Sequence, residues 1–337
     1  MQKVGENTFL LSGKVGINVR ATVSGPIEGT GPLASRFDKI YADEKCGQNS
    51  WEMAEGTLLG DVLDFLLRKG DFVNSDIDMI LSGDLLNQCM STALATRDRN
   101  IPTIGLYGAC STMAESMCLA AMIMDNGGAE NIVCMTSSHY CSAEKQFRFP
   151  LELGGQKPKS AQSTVTGAGG NILSLDKGKT AITAVTPGCV RDPGVTDSNN
   201  MGGAMAPAAA TTIATHLRDT GRQPNYYDMI ITGDLGSLGM EMCRQLTGEL
   251  GYDISGQLQD AGTMVYPQEE TQNTSGTSGC GCSALVLNSI VLDKMEQGKL
   301  DRVLFVGTGA LHSPALLNEK QPIPVIAHAV SIERRKA

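Results

Sequence analysis

The chain writes one strand–helix–strand unit twice, and this repetition constrains its fold more than any other feature. The first copy reads IPTIGLYGACSTMAESMCLAAMIMDNGGAENIVCMTSS from Ile101 to Ser138, the second TQNTSGTSGCGCSALVLNSIVLDKMEQGKLDRVLFVGTG from Thr271 to Gly309. A shift of 171 positions sets Gly108 on Gly279, Gly127 on Gly298 and Ile132 on Val303, and it places Gly281 opposite Cys110. DMILSGDLLNQ from Asp78 and DMIITGDLGSL from Asp228 form a second pair, 150 positions apart. Two similar α/β halves follow from this, residues 1–175 with Cys110 and residues 176–337 without its counterpart. A cysteine at one helix start and none at the other is the functional clue.

Periodicity fills in the halves. Thr8 to Val23 reads as strand, and Ser50 caps a helix from Trp51 to Lys69 that Gly70 ends. Ile77–Leu81, Ile101–Tyr107 and Asn131–Thr136 read as short buried strands, with helices over Leu85–Thr96 and Cys110–Asp125 between them. That alternation implies parallel pairing through right-handed crossovers. Thr164–Leu175 and Thr180–Thr186 read as strands joined in a hairpin across Asp176–Gly178. Gly188 to Met205 is a long loop before a helix that Pro207 opens. The second half repeats the order: strand Met229–Ile231, helices Ser237–Leu250 and Cys282–Gln297, strand Arg302–Val306, and a last strand within Pro322–Ile332.

A net charge of −9 argues against general nucleic-acid binding, and the ERRK tail from Glu333 is a solvated end. No basic flank precedes a long apolar stretch at the N-terminus, so no signal peptide is visible. No segment reaches the roughly 18 apolar residues that span a bilayer. Any membrane association is therefore expected to be peripheral. Ten cysteines would suit a disulfide scaffold in a short secreted chain, but in 337 residues without an export signal Cys46, Cys89, Cys118, Cys134, Cys141, Cys189 and Cys243 read as reduced small hydrophobes. Cys280 and Cys282 lack the paired CxxC spacing of zinc sites, and neither metal nor cofactor is expected.

Cys110 is the strongest chemical candidate. At a helix start the unpaired N–H groups and the helix dipole favour thiolate over thiol, and around Cys110 and Ser111 they would also receive a carboxylate or thioester oxygen. His139 follows a strand end, where α/β sites sit, and is a candidate donor or base toward Cys110. Asp84 and Asp234 hold matching positions after strands in the two halves. Either they face each other across a pocket or each caps the next helix, and GDL after a strand favours the cap. Lys145, Arg148 and Lys157 form the notable cation cluster near the site, while His216 is expected to be exposed on its helix. There is no GxxxxGK[ST], GxGxxG, GxSxG or HExxH motif.

YGACSTMAES, a cysteine at a helix start within duplicated halves, resembles the thiolase and ketoacyl synthase superfamily. GPLASRFDKIYADEKCGQNSWEMAE, SGDLLNQ, YGACST, SSHY with AEKQFRFP, ELGGQKP, STVTGAG, MGGAMAPAAA and IPVIAHAV extend the likeness nearly end to end. Together they resemble the stage V sporulation protein AD family of spore-forming bacteria. The resemblance implies a thiolase-like α/β fold, its duplicated halves stacked as a layered α-β-α-β-α body. It also implies binding of dipicolinic acid (pyridine-2,6-dicarboxylate), with other SpoVA membrane proteins as partners in its uptake. The expected place is the developing spore, peripherally on the inner spore membrane. A homodimer is expected, and whether calcium enters with the ligand stays open.

Catalytic superfamily members pair the cysteine with His and Asn, or with two His. Here the strand end that would carry their His reads ITGDLGSLG, the Asn loop corresponds to TSGCGCS, and the loop of the thiolases' second Cys falls near VGTGALH. The resemblance therefore implies no catalytic residues, and a vestigial nucleophile at Cys110. The expected ligand pocket comprises Cys110, Ser111, His139, Asp84, the Gly279 loop and Lys157. Two other readings stay open: an acyltransferase using Cys110 with His139 or His328 as base, and a scaffold subunit without ligand.

Overall fold

The structure, a computed structural model, describes residues 1–146, 157–266 and 274–335. Arg148 and most of the ELGGQKP motif lie outside the described residues. From edge to edge, the main sheet runs Thr103–Gly105, Met79–Gly83, Asn131–Ser138, Gly167–Leu175 and Val15–Ser24, then Thr180–Thr186, Val325–Arg334, Arg302–Ala310, Met229–Thr232 and Leu258–Asp260. Each run of five has its three outer strands parallel and its two inner strands antiparallel. The runs meet at two residue pairs, Thr180 with Ile17 and Ala181 with Gly16.

The duplication reaches single hydrogen bonds. Asp78 Oδ2 accepts from the backbone N–H of Glu130 and Asn131, and Asp228 Oδ2 from those of Asp301 and Arg302. In each half a carboxylate thus pins the start of the third parallel strand to the first.

Three apolar clusters lie between the layers. One packs helix Trp51–Gly70 on the first five strands, through Leu59, Val62, Leu63 and Leu66 against Ile80, Val133 and Ile172. A second packs helix Met201–Thr220 on the other five, through Ile213 and Leu217 against Ile230, Leu304 and Ala329. The third lies between the sheet halves and holds the Cys110 helix, Thr112–Asp125, against the helical segment from Cys280. Helix, sheet, helices, sheet and helix make the expected five layers. Burying these faces supplies the main drive to fold, at about 25 cal/mol per Å² of apolar surface.

Four local expectations are corrected. Gly167–Leu175 and Thr180–Thr186 form no hairpin, because Val15–Ser24 lies between them and pairs with both. Pro207 sits inside helix Met201–Thr220 and does not open it; the small residues of MGGAMAPAAA already wind the preceding turns. Helix Trp51–Gly70 keeps its Ser50 cap, with Met53 N–H donating to Ser50 Oγ, but the left-handed residue that ends it is Asp71, at φ 55°. His216 is fully buried, with Nδ1 at 2.7 Å from Thr186 Oγ1 and Nε2 at 2.6 Å from Tyr227 Oη. Burial pushes its pKa down to about 3, so it stays neutral.

Candidate functional site

Cys110 does not open an α-helix directly. Ala109–Ser111 form a 3₁₀ turn ahead of helix Thr112–Asp125, and Ala109 enters it at φ 52°. The turn uses donors expected to face a ligand, those of Ser111 and Thr112. Ser111 N–H and Ser111 Oγ both reach Gly108 O, at 3.2 and 2.7 Å, and Thr112 N–H donates to Ala109 O. Ser111 is fully buried behind the turn, whereas the Cys110 side chain is partly exposed on a cavity wall.

That cavity, about 210 Å³, lies between the halves and is lined by Cys110, Tyr107, Gln146, Asp234, Ser278 and His312, with Met201 and Met205 on its apolar side. The GDL pair has split its duties. Asp84, fully buried, accepts from Leu86 N–H at 3.0 Å and from the N–H and hydroxyl of Thr92 at 2.9 Å, so it braces its own loop and the start of helix Met90–Thr96. Asp234 caps nothing. Its Oδ1 accepts from Thr308 Oγ1 at 2.7 Å and its Oδ2 from Gly279 N–H at 2.9 Å, and the same carboxylate lies close enough to act on the Cys110 thiol. The capping role falls to Asp260, which accepts from Leu235 and Gly236 N–H at 2.8 Å and Gly262 N–H at 2.9 Å. Gly279 presents its N–H to Asp234 from φ 108°, a backbone region that side chains rarely tolerate.

This arrangement reverses the expected electrostatics of Cys110. Burial raises its pKa well above the ordinary thiol value, the neighbouring Asp234 charge raises it further, and the Gly279 backbone only partly opposes them. Asp234 itself is raised to about 7 by burial, against the stabilising bonds from Gly279, Thr308 and Cys110. At neutral pH the site holds a protonated thiol beside a carboxyl group near its midpoint.

The other sequence candidates do not all converge here. His139 is fully buried; its Nδ1 accepts from Cys141 N–H at 3.1 Å, so Nε2 carries the proton and donates to Glu44 O at 2.7 Å. Both nitrogens are therefore committed away from Cys110, and the ring lies 5.5 Å from that of Trp51. Lys157 lines a separate, wider cavity of about 940 Å³ with Tyr140, Ser163 and Tyr266, where its Nζ is 2.7 Å from Ser163 Oγ and 3.3 Å from Glu144. Lys145 pairs with Glu52. Sequence reasoning did not select Tyr107, Gln146 or His312. The repeat held a signal for His312: the shift that aligns the two copies brings the end of Arg302–Ala310 onto the end of Asn131–Ser138, where site residues were sought.

The electrostatic account of Cys110 has a direct test. In Asp234→Asn the carboxylate's repulsion is gone and an amide N–H can donate to sulfur, so Cys110 alkylation by iodoacetamide at pH 8 should rise at least about tenfold. Exposed Cys189 serves as the internal reference in peptide mapping. An unchanged Cys110 rate would show that burial alone protects the thiol.

Comparison with known proteins agrees with the fold. The sequence profile of the stage V sporulation protein AD family matches residues 5–333. Stage V sporulation protein AD of Bacillus subtilis (strain 168) is 43% identical over 334 residues, 99% of this chain and 98% of that one. Among solved structures, a variant of Xanthomonas campestris OleA superposes with a TM-score of 0.63 at 13% identity, covering 99% of this chain and 100% of that one. The 3-oxoacyl-[acyl-carrier-protein] synthase III of Aquifex aeolicus VF5 gives 0.58 at 11% identity, covering 95% and 99%. At such identities the last two establish the thiolase-like fold alone. With a duplicated thiolase-like body and a family match over nearly its whole length, this chain belongs to the stage V sporulation protein AD family.

Proposed function

We propose that this sporulation protein is a thiolase-fold binding protein without catalytic turnover. In this reading it takes dipicolinic acid in the Cys110 cavity and supports its uptake into the developing spore with other SpoVA proteins. The observation that carries the reading is Asp234. An acyl-transferring cysteine needs a base to create its thiolate and donors to hold the developing oxyanion. Here the titratable neighbour of the thiol is Asp234, a weak base whose negative charge disfavours the thiolate. Proton transfer from a thiol raised well above its ordinary pKa therefore runs uphill, and the turn uses the Ser111 and Thr112 N–H groups itself. What is left is a small, largely apolar recess with a few polar groups, Tyr107, Gln146, Asp234, Ser278 and His312, on its wall. Its volume, about 210 Å³, is below the ~300 Å³ at which drug-sized sites begin and suits a single ring with short substituents.

Calorimetric titration with dipicolinic acid, using pyridine-2-carboxylate as control, should give saturable binding that needs both carboxylates. Incubation with a short acyl-CoA should leave the intact mass unchanged. A covalent acyl adduct on Cys110 would favour the acyltransferase reading, and absence of ligand binding the scaffold reading.

Assembly follows the same logic. The edge strand Thr103–Gly105 is exposed along its length, with Ile104 within it and Tyr107 just after it both half-exposed, and a second copy would continue the sheet there. No helix among the described residues is long and apolar enough to cross a membrane, so the proposed place on the inner spore membrane would be peripheral.

A further inference from the structure

We propose that the Cys110 cavity takes its dicarboxylate ligand together with one proton, which resides on Asp234 in the complex. The inference rests on the ligand reading above and adds the chemical form in which the ligand is held.

A pocket for a dianion would be expected to carry a compensating lysine or arginine. None lines this cavity among the described residues, and Lys157 is committed in the neighbouring one. Among the described residues, the groups around Asp234 leave the same deficit. Cys110, from the 3₁₀ turn, and the buried Cys280 and Cys282, from the helix opposite, are thiols kept protonated. Thr308, from strand Arg302–Ala310, is neutral, and burial lowers the pKa of His312 just beyond it, which keeps that ring neutral too. Beneath lies Asp260, a second carboxylate, with its pKa raised to about 6 by burial. Helix Met201–Thr220 contributes only Met201 and Met205.

A dianion entering this recess would face the Asp234 charge at close range in a poorly solvated space. Protonation relieves that repulsion and reverses the role of one oxygen. Asp234 Oδ2 keeps the Gly279 N–H, while a protonated Oδ1 becomes a donor toward the cavity or toward Thr308, whose hydroxyl can turn to accept. With a pKa of about 7 in the empty site, the proton is readily taken from solvent near neutral pH.

The test is dipicolinate titration of the intact protein in buffers of different ionisation enthalpy. At pH 8 Asp234 is mostly ionised in the empty site, so binding should take up most of one proton, and clearly less at pH 6. The dissociation constant should weaken by about tenfold per pH unit above 7.5. In Asp234→Asn both dependences should vanish. Should that variant fail to fold, the wild-type buffer series decides alone. Binding at pH 8 without proton uptake, or an Asn variant that keeps the wild-type uptake, would overturn the inference while leaving the ligand assignment standing. No binding at any pH would overturn both.

Discussion

Tryptophan at position 110 is expected to abolish dipicolinate binding, raising Kd by at least about a hundredfold, or ~3 kcal/mol, in a protein that still folds. The Cys110 side chain stands on the wall of a recess of only about 210 Å³, and an indole directed into it would occupy much of the ligand's space. Overpacking normally costs about 1–3 kcal/mol in a closed core, but here the wall is partly open and the side chain has somewhere to go. Serine at the same position separates shape from chemistry. It is smaller than cysteine and keeps a donor for Asp234, so binding should stay within about threefold of wild type. Calorimetry on the two variants, with thermal unfolding to confirm the fold, checks both expectations. A folded tryptophan variant with unchanged affinity would move the ligand out of this cavity.

The fold was largely legible in the sequence because duplication and hydrophobic period are statements about layers. The alternation of strand and helix around Ile101–Ser138 called for parallel strands, and Thr103–Gly105 and Asn131–Ser138 both run parallel to Met79–Gly83. In the second copy Arg302–Ala310 joins the main sheet, but Gly276–Ser278 pairs apart from it with Gln162–Thr164. What the local pattern could not show was long-range insertion. Asp176–Gly178 carries a turn signal, yet pairing is set by which strand fits between, and Val15–Ser24 comes from far away in the chain. The site was legible to a lesser depth. The family-like YGACST run located Cys110, but the state of its thiol depends on Asp234, more than a hundred residues distant. Asp84 and Asp234 look alike in sequence because both follow a strand and precede Leu. Their roles part only through tertiary partners: Thr92 and Leu86 hold the first, while Gly279, Thr308 and Cys110 hold the second. A local pattern that reads as a helix cap is overridden in the second half because Asp260 supplies those bonds from another strand.

The same tertiary dependence predicts opposite outcomes for two glycine-to-alanine changes in helices. Gly202→Ala should destabilise the protein by about 2–3 kcal/mol even though alanine is the better helix former by ~1 kcal/mol. A Cβ on Gly202 would stand 2.0 Å from Leu235 O and 3.1 Å from Gln162 Oε1, and one on Gly239 would stand 2.4 Å from Gly202 O. The backbones of helices Met201–Thr220 and Gly236–Glu249 therefore touch at this point, and neither can yield without moving the other. Leu235 directly follows Asp234, whose carbonyl is held by Gln162 Nε2 at 2.7 Å. Relief of the clash would pull that turn away from Cys110, so dipicolinate affinity should fall at least about tenfold along with stability. Gly248, in helix Gly236–Glu249, has nothing within 4 Å of its Cβ position. Gly248→Ala should instead stabilise by about 0.5–1 kcal/mol and leave binding unchanged. Urea unfolding and ligand titration of the two variants measure both effects. If Gly202→Ala proved as stable as wild type, the contact between these helices would not be what fixes Asp234 against Cys110.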